Sequence, residues 1–156
     1  QRSLAAGKSC SMFVAFLAGP FYTQQTATLT VNTNLAGSPQ TVPLTATVIN
    51  PVAQFSASNL NFGTVRAKSG SAAKSVTLTS VGGTALSISK VSIAGANPGD
   101  YSQTSSCTSA TLNPKGNCSI VVTFKPTAKG ARTATLVVTD NAKNSTQSIS
   151  LMGTGN

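Results

Sequence analysis

Apolar and polar residues alternate with a period of two along almost the whole chain, in stretches rich in Thr, Val, Ser and Ile. Successive side chains of a strand point to opposite faces, so this alternation predicts half-buried β-strands. Leu60 and Phe62 fall on one face, Val76 and Leu78 on another, and the pattern resumes over 86–93 after a turn at Val81, Gly82, Gly83 and Thr84. The stretch 94–100 reads as a Gly/Asn/Pro loop leading to Tyr101. Cys118, Ile120, Val122 and Phe124 then share a face. Ala134, Leu136 and Val138 share the next, beyond a Pro- and Gly-containing turn over 125–130, and Ile149 and Leu151 end the series. No helical period persists for more than a turn. About seven short strands with turn signals between them point to an antiparallel β-sandwich.

The pattern also repeats. Residues 7–16, GKSCSMFVAF, match 116–124, GNCSIVVTF. Thr26-Ala27-Thr28-Leu29 matches Thr133-Ala134-Thr135-Leu136, and 40–45, QTVPLT, matches 147–152, QSISLM. The offset is 108 at the cysteines (118 − 10) and 107 afterwards (133 − 26, 147 − 40). Residues 1–50 therefore read as the C-terminal half of one unit and residues 51–156 as a complete unit: tandem all-β sandwiches, the first one incomplete.

The half unit keeps the inward set of the whole one. Cys10, Met12, Val14 and Phe16 predict a strand, followed by Ala27, Leu29 and Val31, then Val42 and Leu44. Met12, Val14, Phe16, Leu29, Val31, Val42 and Leu44 would form a strand-completion face. Left bare, it would be an apolar patch bordered by unpaired strand edges. Three explanations are open. The missing strands precede Gln1 in a longer repeat protein; another chain supplies them by strand addition, a head-to-tail contact that propagates into a fibre; or the half packs onto its own second unit. The expected partner of Cys10 would fall just before residue 1, which makes Cys10 a candidate interchain disulfide under the second explanation.

Composition removes most chemistry. The chain has no His and no Trp, and its two acids are Asp100 and Asp140, in different loops. General acid–base catalysis needs a positioned group that titrates near the working pH, and a serine nucleophile needs a neighbouring base. No such set is present, so the chain is not expected to be an enzyme. Three cysteines without a CxxC or a His leave no metal site, and no cofactor is expected. The net charge of +9 arises because acids are nearly absent. Its cations are scattered, with no interleaved aromatic platform, which argues against specific nucleic-acid binding. An anionic surface or polysaccharide stays open as a partner, beside neighbouring repeats or a second copy. Phe21, Tyr22 and Tyr101 are the loop aromatics that could grip a glycan, or pack at the sandwich ends.

Cys107 and Cys118 flank the turn sequence Leu112-Asn113-Pro114-Lys115-Gly116. Two adjacent antiparallel segments would suit a disulfide there, contributing about 3 kcal/mol in the chain-entropy model; two buried free thiols are the alternative. A disulfide would imply an oxidising compartment and an exported protein. The apolar stretch from Met12 to Gly19 is shorter than the ~20 residues a membrane-spanning helix needs. Asn144-Ser145-Thr146 is a candidate glycosylation site in a hairpin loop, and Asn117-Cys118-Ser119 a weaker one.

Four stretches taken together, LNFGTV (60–65), LTSVGGTALSISKVSIAG (78–95), DYSQTSSCTSATLNPKGNCSIVVTFKPTAKGARTATLVV (100–138) and ISLMGTG (149–155), resemble the ASPM–SPD-2–Hydin (ASH) type of immunoglobulin-like domain. The likeness is greatest to those in bacterial surface proteins of the choice-of-anchor D kind. It covers the whole second unit, and the first from its cysteine strand onwards. The resemblance implies non-catalytic, tandemly repeated, secreted or surface-displayed domains. It also implies pairing of Cys107 with Cys118, since cysteines at the matching positions commonly pair in that family. The expected role is an extracellular structural or adhesive repeat protein, a stalk or a self-assembling fibre subunit; a glycan- or surface-binding module is the alternative.

Overall fold

The computed structural model describes residues 3–17 and 24–156 and divides the chain into two units, Gln1–Val48 and Ile49–Asn156. In the second unit the period-two pattern becomes two facing sheets. Strands β3 (Ala53–Phe55), β4 (Asn59–Val65), β5 (Ala72–Ser80) and β6 (Leu86–Ala94) precede a single 3-10 turn at Pro98–Asp100. Strands β7 (Tyr101–Ser105), β8 (Thr111–Leu112), β9 (Asn117–Phe124), β10 (Gly130–Asp140) and β11 (Thr146–Gly155) follow. One sheet has the order β4-β11-β10-β6-β8, the other β3-β5-β9-β7. Every ladder is antiparallel except that of β4 with β11, which is parallel. The polar strand β7 (YSQTS) and the two-residue β8 are what the alternation did not reveal, since neither carries a run of alternating apolar residues.

The core lies between the sheets. β9 turns Cys118, Ile120, Val122 and Phe124 inward and Asn117, Ser119 and Val121 outward. β10 and β11 answer with Ala134, Leu136, Val138, Ile149 and Leu151, and β5 with Val76 and Leu78. Burying each large aliphatic side chain is worth about 1.5–3 kcal/mol. At one end Phe62, Tyr101 and Phe124 form an aromatic group, with Tyr101 stacked on Phe124 at 4.8 Å between centroids. Gly153 lies under that group: a Cβ there would stand 2.4 Å from Cε1 of Phe124. Tyr101 is thus a buried packing residue, not a loop aromatic. Phe21 and Tyr22 lie outside the described residues.

The first unit contains an antiparallel hairpin of β1 (Gln24–Val31) and β2 (Gln40–Thr47). Its register pairs Ala27 with Leu44, Leu29 with Val42 and Val31 with Gln40. In β10 and β11 the pairs are Ala134 with Leu151, Leu136 with Ile149 and Val138 with Gln147. Each residue of one hairpin corresponds to a residue 107 positions later in the other. The loops agree as well. The amide of Leu35 donates to Oγ1 of Thr33 and that of Ala142 to Oδ1 of Asp140, while Nε2 of Gln40 donates to the Gly37 carbonyl and Nε2 of Gln147 to that of Asn144. One face of β1–β2 carries Ala27, Leu29, Val31, Val42, Leu44 and Ala46. The other is almost all threonine, interrupted by Pro43.

The strand expected over Cys10, Met12, Val14 and Phe16 is absent. Residues 8–17 form no ladder, and Cys10, Met12 (57% exposed), Val14 (56%) and Phe16 (47%) face solvent. The reason lies in the matching strand. β9 is held on one side by β5 and on the other by β7, and β-structure draws its stability from such cross-strand partners. The segment 10–16 has neither, whereas a hairpin closes on itself.

Candidate functional site

Three places collect the chemistry of the chain. The first is the disulfide. β9 carries Cys118 inward, and the turn after β7 delivers Cys107 opposite it, aided by a bond from the Cys107 amide to Oγ of Ser105 at 2.8 Å. The structure joins the two, both buried, in a disulfide. Cys10 is a free, exposed thiol.

The second is a node around Asp100, which sequence reasoning set aside as a loop carboxylate. The 3-10 turn buries Asp100 beneath the 125–130 turn. One carboxylate oxygen accepts the Thr127 amide (3.0 Å) and hydroxyl (2.6 Å), and the other accepts a charge-assisted bond from Nε of Arg132. Tyr101 adds a bond from its hydroxyl to the Arg132 carbonyl (2.8 Å), and the Lys125 amide donates to the Asp100 carbonyl (2.8 Å). Burial pushes the Asp100 carboxyl up, but the bonds from Thr127 and Arg132, with the charge of Arg132, outweigh it and hold the group below its ordinary value. Burial and the neighbouring Asp100 charge push the Tyr101 phenol up to about 12. The one available signal was scarcity: a chain with two acids has uses for both. An open cleft of about 540 Å³ adjoins the node, with Lys68, Lys125, Ser102 and Thr127 around Tyr101 and Pro126.

The other acid serves a different end. Asp140 closes β10, where Oδ1 caps the hairpin loop by accepting the Ala142 amide at 2.8 Å. Its pKa is raised, because burial outweighs that bond. Arg132, beside Asp100, and Asp140 are eight residues apart on one strand, roughly 26 Å at the usual rise. The two carboxylates therefore do not form a catalytic pair. Among the described residues no three metal-ligating side chains gather, and no helix is long and apolar enough to cross a membrane. Asn144 is exposed in the β10–β11 loop; Asn117 is exposed at the start of β9, next to the buried Cys118.

The third place is the apolar face of β1–β2. Leu29, Val31 and Leu44 are half-buried and Val42 is 50% exposed. Met12, Val14 and Phe16 do not join them in a ladder, so the seven expected residues form a four-residue sheet face and a separate exposed segment.

The fold has counterparts among known proteins. The Cep192 domain 4 family matches residues 50–156, well over half the chain. The chain belongs to the Cep192 domain 4 family. The match falls on the second unit, the two-sheet β-sandwich. No curated protein sequence matches the chain. Among solved structures, a protein of unknown function from Porphyromonas gingivalis W83 is similar at 14% identity and a TM-score of 0.57, over 85% of this chain and 64% of that one. The secreted serine protease VesC from Vibrio cholerae is similar at 15% identity and a TM-score of 0.52, over 68% of this chain but 23% of the protease. The ASH/PapD-like domain of human CEP192, its PapD-like domain 7, aligns at 15% identity and a TM-score of 0.48, over 67% of this chain and 84% of that one. Identities this low concern the fold alone. The chain spans less than two thirds of the Porphyromonas protein and about a quarter of the protease.

Proposed function

We propose that this Cep192 domain 4 family member is a non-catalytic extracellular structural or adhesive module, one repeat of a stalk or fibre. The observation that carries the proposal is the repeat itself: a β-sandwich holding the Cys107–Cys118 disulfide is preceded by a hairpin of the same register. The disulfide supports an oxidising compartment, and both acids are engaged in holding turns. Thiol titration of denatured, unreduced protein tests the extracellular reading. One free thiol, Cys10, is the expected result, and three would overturn it.

A surface-binding role has one observation of its own, the cleft flanked by Lys68 and Lys125 in a chain of net charge +9. In this reading the cleft binds an anionic polysaccharide. Binding to a sulfated or uronate polymer should weaken steeply with salt; salt-insensitive binding would remove the reading.

A further inference from the structure

We propose that the turns at 66–70 and 125–130 of the second unit form a preorganised site for an acidic polysaccharide, in which Lys68 is held in a strained conformation to grip an anionic group. This rests on the surface-binding reading above and gives that reading its residues and its ligand class.

The cations are scattered along the sequence, but the fold gathers them. The segment 66–70 follows β4 and carries Arg66 and Lys68; the turn 125–130 joins β9 to β10 and carries Lys125 and Lys129, with Arg132 two residues on. The Lys68 amide donates to the Pro126 carbonyl at 2.8 Å, so the two turns touch. Five of the chain's eleven cations therefore lie on or beside two turns in contact. Arg66, Lys68, Lys125 and Lys129 are all exposed. The one carboxylate beneath them, Asp100, is already engaged by Thr127 and Arg132. An excess of one sign beside a cleft concentrates ligands of the other sign.

The backbone holds this cleft in shape. The Lys125 amide is bonded to the Asp100 carbonyl, the Ala67 amide to the Asn156 carbonyl (2.9 Å) and the Gly70 amide to the Arg66 carbonyl (2.9 Å). Within that frame Lys68 has φ 66°, the left-handed region in which a side chain is strained and glycine is not. Residues held in such conformations collect at ligand clamps. The bond to Pro126 comes from the backbone, and a glycine would make it equally well. What lysine adds at this position is an ammonium group on the cleft wall, facing the same space as Lys125.

The lining also selects the class of ligand. Lysine presents a point charge and not the planar fork of arginine, so it attracts sulfate and carboxylate alike. The hydroxyl of Ser102 and the backbone of Gly99 suit a ligand rich in hydroxyls. Tyr101 is 6% exposed and stacked on Phe124, so it offers no platform for a nucleic-acid base. None of the large exposed apolar side chains lies on these turns, so nothing there would enter a lipid surface. A second copy does not fit either, because Asp100 and Asp140 are both buried.

The test is calorimetric titration of the full 156-residue chain with heparin oligosaccharides and with oligogalacturonate at low salt. Lys68→Gly/Lys125→Gln should weaken binding about tenfold, the scale of two exposed charge contacts. Lys90→Gln/Lys115→Gln removes the same charge from β6 and from the turn before β9, and should stay within about twofold. Lys68→Gly alone should weaken binding while its urea midpoint holds or rises, a combination that a merely structural lysine would not give. Equal losses in the two double variants would overturn the site and leave the surface-binding reading standing. No binding by the unaltered chain would remove both. Equal affinity for poly-glutamate or oligothymidylate of matched charge would overturn the ligand class, and a lower urea midpoint in Lys68→Gly would overturn the role given to Lys68.

Discussion

Hairpins β1–β2 and β10–β11 share every cross-strand pair compared above, and even the side-chain bonds of their loops, yet Leu136 and Leu151 are wholly buried while Val42 is half exposed. Segment 10–16 and β9 differ more: nearly the same apolar set is a central strand in one place and an unpaired stretch in the other. A hairpin needs its turn and its partner, which are neighbours in sequence. A central strand needs two partners distant in sequence: β5 pairs with β9 across 38 (Thr79–Asn117) to 52 residues (Ala72–Phe124), and β7 across 15 (Ser105–Ile120) to 23 (Tyr101–Phe124). Local order therefore forms without distant partners, and burial does not.

Leucines at matching positions test that difference most severely. Leu136→Ala should cost about 2–5 kcal/mol, because it leaves a cavity in a closed core. Leu29→Ala, at the matching position on the open face, should stay within about 0.5 kcal/mol. Urea unfolding followed by circular dichroism reads both. Equal losses would mean that the β1–β2 face is already covered in the free chain, and the contrast between the hairpins would collapse.

The cysteines come next. Cys107→Ser should lower the stability of the second unit by about 3 kcal/mol, the chain-entropy value for so short a loop. Cys10→Ser should leave it unchanged, since Cys10 is exposed and unpaired. A smaller difference separates Gly153 from its counterpart, Ala46. Gly153→Ala drives a methyl group into the ring of Phe124, which is wedged by Tyr101 and Phe62, and should cost about 1–3 kcal/mol. Ala46→Gly should fall within about 1 kcal/mol.

Much of this was legible beforehand because it is written in period two. The inward residues of β5, β9, β10 and β11 follow from alternation alone, and a constant offset of 107 announced two hairpins of one register. What stayed hidden depends on contacts between distant residues. β7 has no apolar alternation and exists because β9 offers it an edge. The strand at 10–16 was expected from its pattern and is missing because pattern supplies one half of a ladder. The Asp100 node joins residues 97 to 133 through a turn geometry that composition does not encode.

The smallest effect is the dependence on pH, and it belongs to one region. Both carboxylates lie in the second unit; the first has Thr33 where the second has Asp140, with the same loop bond. Asp100 is held below its ordinary value of 3.8, so its contribution is complete above that value and disappears as pH falls through the lower folded value. Asp140 is shifted the other way, so its ionisation weakens the fold progressively as pH rises from 3.8 to its folded value, and not below. Asp100→Asn should therefore flatten the acid limb of the urea midpoint and lower the neutral plateau by about 1.5 kcal/mol, the scale of a bond to a charged group. Asp140→Asn keeps an oxygen for the Ala142 amide and removes the buried charge, so it should hold or slightly raise that plateau. Amide exchange in β1–β2, corrected for intrinsic rates, should show no pH dependence in its protection. If the first hairpin loosened in acid together with the second unit, the two would be one cooperative body, and their difference in burial would no longer report on each separately.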